Sequence, residues 1–175
     1  MKTTVTLLFL LVCMSALAQP QPAPMAPTLE FVCELAVQIS PPLTVGDTPH
    51  GLRRIIPITG GTVEGPTIKG TILNGGADWQ VVRADGVAEL EAHYQFRTND
   101  GVLIYIKNVG LRVATPEVAA RISRGELVPP SEYYFRTVAK FEAPPGPYAW
   151  MNNTIFVCSA IRNPQNVLIQ VWKVK

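Results

Sequence analysis

From Leu29 onward, apolar residues come in short runs, each broken within a few positions by Gly, Pro, Asn or Asp. The plainest run is Ala88 to Thr98, where Ala88, Leu90, Ala92, Tyr94 and Phe96 alternate with Glu89, Glu91, His93, Gln95 and Arg97. Successive side chains of an extended chain point to opposite faces, so this alternation predicts a strand with one apolar and one polar face. Asn99-Asp100-Gly101 follows, residues that tolerate the positive φ of a tight turn, and Val102 to Ile106 returns as a second strand. Further strands are expected over 30–40, 52–58, 67–73, 79–83, 109–113, 133–142, 153–161 and 167–174. One helix interrupts them at 116–124. Thr115 can cap it, Pro116 suits its first position, Glu117 complements the positive end of its dipole and Gly125 can stop it.

Nine or ten strands with one short helix predict an all-β domain. A single closed antiparallel β-barrel, with closure of the lipocalin or streptavidin kind, leaves no exposed edges and can hold a small ligand in its mouth. A β-sandwich is the alternative.

The first residues read differently. Lys2 precedes an apolar stretch from Val5 to Ala18, and Ala16-Leu17-Ala18 places small residues where signal peptidase requires them. The stretch is shorter than the roughly 20 residues of a membrane span. The expected organisation is a signal peptide over 1–18, a disordered Pro-rich tether over 19–28 and one β-barrel domain over 29–175. The expected location is therefore exported, periplasmic or secreted, with no membrane span after cleavage. Roughly 160 residues remain, enough to bury a core without metal or disulfide support.

Composition narrows the partners. A formal net charge of +2 over 175 residues gives no basic footprint for nucleic acid. Once Cys13 leaves with the signal, Cys33 and Cys158 remain, and an oxidising compartment invites a disulfide between them if their strands are neighbours. The alternative is two buried, inert thiols. No phosphate-cradling glycine loop, metalloprotease helix or nucleophile elbow is present, and His50 and His93 have no ligand partners at a diagnostic spacing. No cofactor and no metal are expected.

Several stretches resemble one family, in order along nearly the whole mature chain. They are Gly60-Gly61-Thr62-Val63-Glu64-Gly65-Pro66, Gly75-Gly76-Ala77-Asp78-Trp79-Gln80, Thr98-Asn99-Asp100-Gly101 with Ile104-Tyr105, Tyr133-Tyr134-Phe135-Arg136, and Trp150-Met151-Asn152 leading to Ile155-Phe156-Val157 and Arg162. The family is the mostly bacterial and fungal group catalogued as domain of unknown function 3237, or uncharacterised protein family 0311. The resemblance implies a single-domain antiparallel β-barrel. It also implies, through some fungal members, flavonoid-type pathways and a chalcone-isomerase-like ring closure. This chain departs from the pattern where His93 replaces an arginine and Asn153 a basic residue, which puts in doubt any mechanism relying on those cations.

The candidate chemistry follows from side-chain type and strand phase. Two glycines before Asp78 and Trp79 would present them at a barrel rim, Asp78 as anchor or base and Trp79 as an apolar wall. Alternatively Asp78 caps its own turn and Trp79 packs in the core. Glu91 and His93 share a face, where the family motif places an acid and a base. If that face lines the interior, burial raises the carboxyl pKa towards that of a general base; if not, the pair is solvated. Tyr134 and Arg136 share a face suited to a carboxylate, phenolate or enolate, unless Arg136 pairs with a structural acid. Trp150, Asn152 and Tyr105 complete the ligand-binding candidates. The expected function is a cofactor-independent isomerase or lyase acting by conjugate addition on a small aromatic or polyketide-like molecule. The alternative is a periplasmic binding or carrier protein for a similar apolar ligand.

Overall fold

The computed structural model describes residues 24–175. The signal-peptide expectation over 1–18 and most of the tether lie outside the described residues. Ten strands, one α-helix and two 3-10 turns follow: β1 (Leu29–Ile39), β2 (Leu43–Thr48), β3 (Gly51–Glu64), β4 (Lys69–Ile72), β5 (Gly76–Val82), β6 (Ala88–Thr98), β7 (Leu103–Val113), α1 (Pro116–Ser123), β8 (Tyr134–Glu142), β9 (Phe156–Arg162) and β10 (Asn166–Val174).

Every strand pairing is antiparallel, and the order β1-β10-β9-β8-β7-β6-β4-β3 closes because β1 also pairs with β3. The short β4 and β5 share one place in the ring, each bridging β3 and β6, so the barrel has eight positions. A ring of that size is just wide enough for side chains to fill. Closure pairs the backbone of both outer strands, which removes the aggregation-prone edges of an open sheet. The barrel expectation therefore holds over the sandwich.

Two differences from the pattern reading are instructive. β2 escapes notice because Leu43 and Val45 are both more than half exposed; an outlying ribbon on β3 has no buried face and so no apolar period. The expected break at 107–108 does not exist. β7 runs unbroken through Lys107 and Asn108, and Asn108 is buried inside the barrel.

The core sits at one end. Leu35, Val63, Ile72, Phe96, Ile104, Ile106, Phe141 and Phe156 are essentially inaccessible, each contributing about 1.5–3 kcal/mol on burial. Phe141 and Phe156 meet edge to face, with ring centroids 4.9 Å apart. The helix forms as expected: the Thr115 hydroxyl accepts from the Val118 N–H, and Gly125 ends it at φ +78°. Val118 and Ile122 anchor it on the core, placing its C-terminal turn beside the opposite, open end of the barrel.

Candidate functional site

At that open end the interior side chains change character. Along β3 the inward series is Arg54, Ile56 and Ile58; along β5 it is Asp78 and Gln80; along β7 it ends at Arg112; along β9 it ends at Arg162. A cleft of about 690 Å³ lies there, lined by Arg54, Gln80, Arg112 and Arg162 and rimmed by the 40–42 and 164–166 loops and the end of α1. Beneath it a small apolar space of about 50 Å³ reaches Asp78, between Val37, Ile58, Tyr94, Phe135 and Ile169. Such a cleft has the size of a small-molecule site.

Hydrogen bonds hold the polar groups in a chain. Asp78 Oδ1 accepts the Glu91 backbone N–H at 2.9 Å, and Oδ2 accepts from Gln80 Nε2 at 3.3 Å. Gln80 Oε1 in turn accepts from an Arg54 guanidinium nitrogen. The Tyr133 hydroxyl accepts the Arg162 backbone N–H at 3.0 Å and fixes the end of β9. Asp78 is buried, at 8% exposure. Desolvation pushes its carboxyl up to about 6, against the opposing pull of the Glu91 N–H, Gln80, Arg112 and Arg54. Burial brings Arg112 down to about 10, assisted by the like charges of Arg54 and Arg162. It lowers Arg54 and Arg162 as well.

The other expected site residues lie outside the barrel. The odd face of β6 is the outer one: Glu91 bonds Lys107 at 2.8 Å and His93 Nε2 at 3.2 Å, while His93 Nδ1 meets the Tyr105 hydroxyl. The Lys107 ammonium holds the Glu91 carboxyl below its usual range, the opposite of the shift a buried base needs. Tyr134 and Arg136 also face outward, Arg136 lying 5.4 Å over the Tyr134 ring. Trp79 does not pack in the core: it stands on the outer face, edge-on to His93 at 5.5 Å. Trp150 rests on Phe156 beneath the Lys173 ammonium. Asn152 clips a loop, accepting from the Ala143 N–H and donating to the Ala143 carbonyl.

Cys33 and Cys158 are buried free thiols. Both stand opposite Val171 of β10, which separates their strands. Two strand spacings amount to roughly 9–10 Å, beyond the reach of a disulfide at about 7 Å between Cα atoms. Burial pushes the Cys33 thiol up to about 12 and Cys158 to about 11. Among the described residues, no three His, Cys, Asp or Glu side chains gather as metal ligands.

Of the expected residues only Asp78 points into the barrel, beneath the cleft; Arg54, Gln80 and Arg112 were missed, and Arg162 was given no role. The signal was phase. Carried unbroken along β7, the even positions Ile104, Ile106, Asn108 and Gly110 lead to an inward Arg112.

Comparison with known proteins agrees with this fold. The model of the family described as "Protein of unknown function (DUF3237)" matches residues 27–174. A UPF0311 protein of Clostridium acetobutylicum is 43% identical over 146 residues, 83% of this chain and 92% of its own length. A crystal structure of a conserved protein of unknown function from Rhodopseudomonas palustris superimposes with a TM-score of 0.83 at 38% identity, covering 87% of this chain and all of the other. A β-barrel-like protein of Acinetobacter baumannii gives 0.76 at 39%, covering 90% of this chain and all of the other. More distantly, the hydroalkoxylation enzyme phnH of Penicillium herquei is 30% identical over 83 residues, 47% of this chain and 55% of its own length. A crystal structure of an enzyme from the same fungus shares the fold, with a TM-score of 0.67 at 21% identity, covering 89% of this chain and 99% of the other.

Proposed function

Because the chain belongs to the DUF3237 family of proteins of unknown function, we propose its activity from the mouth of the barrel: a cofactor-independent enzyme that adds an O–H group across an activated C=C of a small aromatic or polyketide-like molecule. The observation that carries this reading is Asp78, a buried carboxyl on the small space beneath the cleft, with its pKa pushed up to about 6 and the Arg54 and Arg112 guanidinium groups near it. The distant likeness to a fungal hydroalkoxylation enzyme supports the reaction class.

The chemistry balances within the substrate and one side chain. The substrate oxygen bonds to the β-carbon of an enone-like system, and the π electrons move to the carbonyl oxygen. Guanidinium donors at Arg112 and Arg162 stabilise that enolate oxygen where charge develops. Asp78 takes the proton from the attacking hydroxyl and returns one to the α-carbon. A group near pKa 6 is matched to both transfers at neutral pH. An isomerase or lyase of the conjugate-addition type uses the same steps. The outward Glu91, His93, Tyr134 and Arg136 have no part in it.

The test is incubation of the purified chain with 2′-hydroxychalcones and hydroxyl-bearing enones. Cyclisation above buffer is expected, falling about 100-fold or more in Asp78→Asn and unchanged in Glu91→Gln. Rates equal to buffer across the panel overturn the enzyme reading; binding without product transfers the cleft to a carrier.

We further propose export, on the strength of Lys2, the apolar Val5–Ala18 and Ala16-Leu17-Ala18. The family match begins at residue 27, beyond that stretch, which suits a removable leader. N-terminal sequencing of the protein from its native host is expected to begin at Gln19; an intact Met1 on cytoplasmic protein refutes it.

A further inference from the structure

Arg54, Arg112 and Arg162 converge on the cleft with Asp78 as the one carboxylate among them. None of the three forms an ion pair among the described residues, and unlike Arg53, Arg97 and Arg136, which are also without one but lie on the outer surface, they are turned into the barrel mouth. Arg54 Nε and Arg162 Nη1 are fully buried with no hydrogen-bond partner. A buried, unpaired guanidinium donor is costly, and three like charges repel in a poorly solvated space. An anion bound among them would supply the missing partner and remove that cost.

We propose that the substrate of this cleft is an organic carboxylate, its planar anion held by Arg112 and Arg162 with Arg54 alongside and its apolar body resting against Ile39, Ile56 and Ile122. Planarity favours this anion, since the guanidinium fork meets a carboxylate through two parallel hydrogen bonds. The body is apolar because the cleft around the arginines also presents Ile39, Pro41, Pro42, Ile56, Ile122 and Pro164. A free inorganic dianion would leave that lining empty and would press against Asp78. In a conjugated acid the carboxylate is itself the group that activates the C=C, so Arg112 and Arg162 hold both the anion and the enolate charge that develops on it, with Asp78 below. The inference deepens the reading above and rests on it only for calling the ligand a substrate.

Binding is measured by calorimetry on the chain from residue 19, with benzoate, cinnamate and 4-hydroxycinnamate, their primary amides, acetate and inorganic phosphate. At least one aromatic acid is expected to bind ten-fold or more tightly than its amide, and more tightly than acetate or phosphate. Arg112→Gln and Arg162→Gln are expected to weaken that acid ten-fold or more, with Arg112→Lys between them and the native chain. Arg136→Gln, on the outer face, leaves it unchanged. Acid and amide binding equally, no acid binding at all, or phosphate alone binding overturns the proposal, and the first comparison needs no variant to fold. Asp78→Asn separates the two readings. Loss of turnover with acid binding retained supports both. A native chain that binds the acid and turns over no enone ends the catalytic reading while leaving the carboxylate site standing.

Discussion

At the scale of single residues, Asp78 makes the most distinctive prediction because its function and its stability oppose each other. Its carboxyl binds a proton more tightly in the folded chain, at about 6 against the ordinary aspartate value of 3.8. Between those two values the folded state holds more protons than the unfolded state, so stability falls as pH rises through that window. Above about pH 6 the ionised Asp78 costs the fold about 2–3 kcal/mol. Asparagine retains an oxygen for the Glu91 N–H, but its amide donor meets Gln80 Nε2, and turning Gln80 would take its oxygen from Arg54; this cost is the same at every pH. Asp78→Asn is therefore expected to be better tolerated at pH 7.5 than at pH 4, by the shift in Tm relative to the native chain, while abolishing turnover. Melting curves of both chains from pH 4 to 8 check this; an equal effect at both ends contradicts a raised carboxyl. The same titration acts on the ligand, since Arg54, Arg112 and the Gln80 amide face Asp78. Carboxylate binding is expected to weaken as pH rises through about 6. His93→Gln, by contrast, removes a surface contact with Glu91 and Tyr105 and is expected to leave both activity and the pH profile unchanged.

At the scale of elements, the strands carry their own constraints. Gly76 opens β5 where it crosses β6, and a Cβ there would lie 2.5 Å from Tyr94 Cβ and 2.6 Å from the His93 carbonyl oxygen. Backbone atoms cannot yield as a side-chain tip can. Gly76→Ala is expected to cost about 2–3 kcal/mol, lowering Tm by roughly 5–10 °C, and to displace Asp78 two residues on. Thermal unfolding with a parallel activity assay shows both effects together. The elements also explain what was readable beforehand. Alternation in β6, the turn residues Asn99-Asp100-Gly101 and the caps of α1 are local features, each set by a few neighbouring residues. The exposed β2 has no such pattern. Splitting β7 at Lys107-Asn108 took a buried polar residue for a break, and with it went the phase that would have carried Arg112 inward.

At the scale of the molecule, eight strand positions give an interior that apolar side chains fill at one end and leave open at the other. The filled end makes Cys33 and Cys158 inert. Neither thiol is expected to react with an aqueous thiol reagent until the protein is denatured, when both react without prior reduction. A reagent count on folded and unfolded protein tests this, and a requirement for reductant contradicts the separation that β10 imposes. The open end explains why the sequence pointed at the outer face and not into the barrel mouth. Glu91, His93, Tyr134 and Arg136 attract notice because each lies beside a partner in sequence. The groups at the mouth and just beneath it come from four strands, at positions 54, 78, 80, 112 and 162.

By itself, the sequence determined the strand-rich domain, the helix with its caps, the hairpin between β6 and β7, and the presence of Asp78 behind two glycines. These follow from side-chain alternation and turn chemistry, which act over a few residues. Only the tertiary structure decided which face of each strand points inward, and therefore which charged groups lose their water. That depends on the register around the closed ring, a property of all eight positions together. Closure turned three scattered arginines and one aspartate into a single desolvated cluster, and left the more conspicuous acid–base pair in solvent.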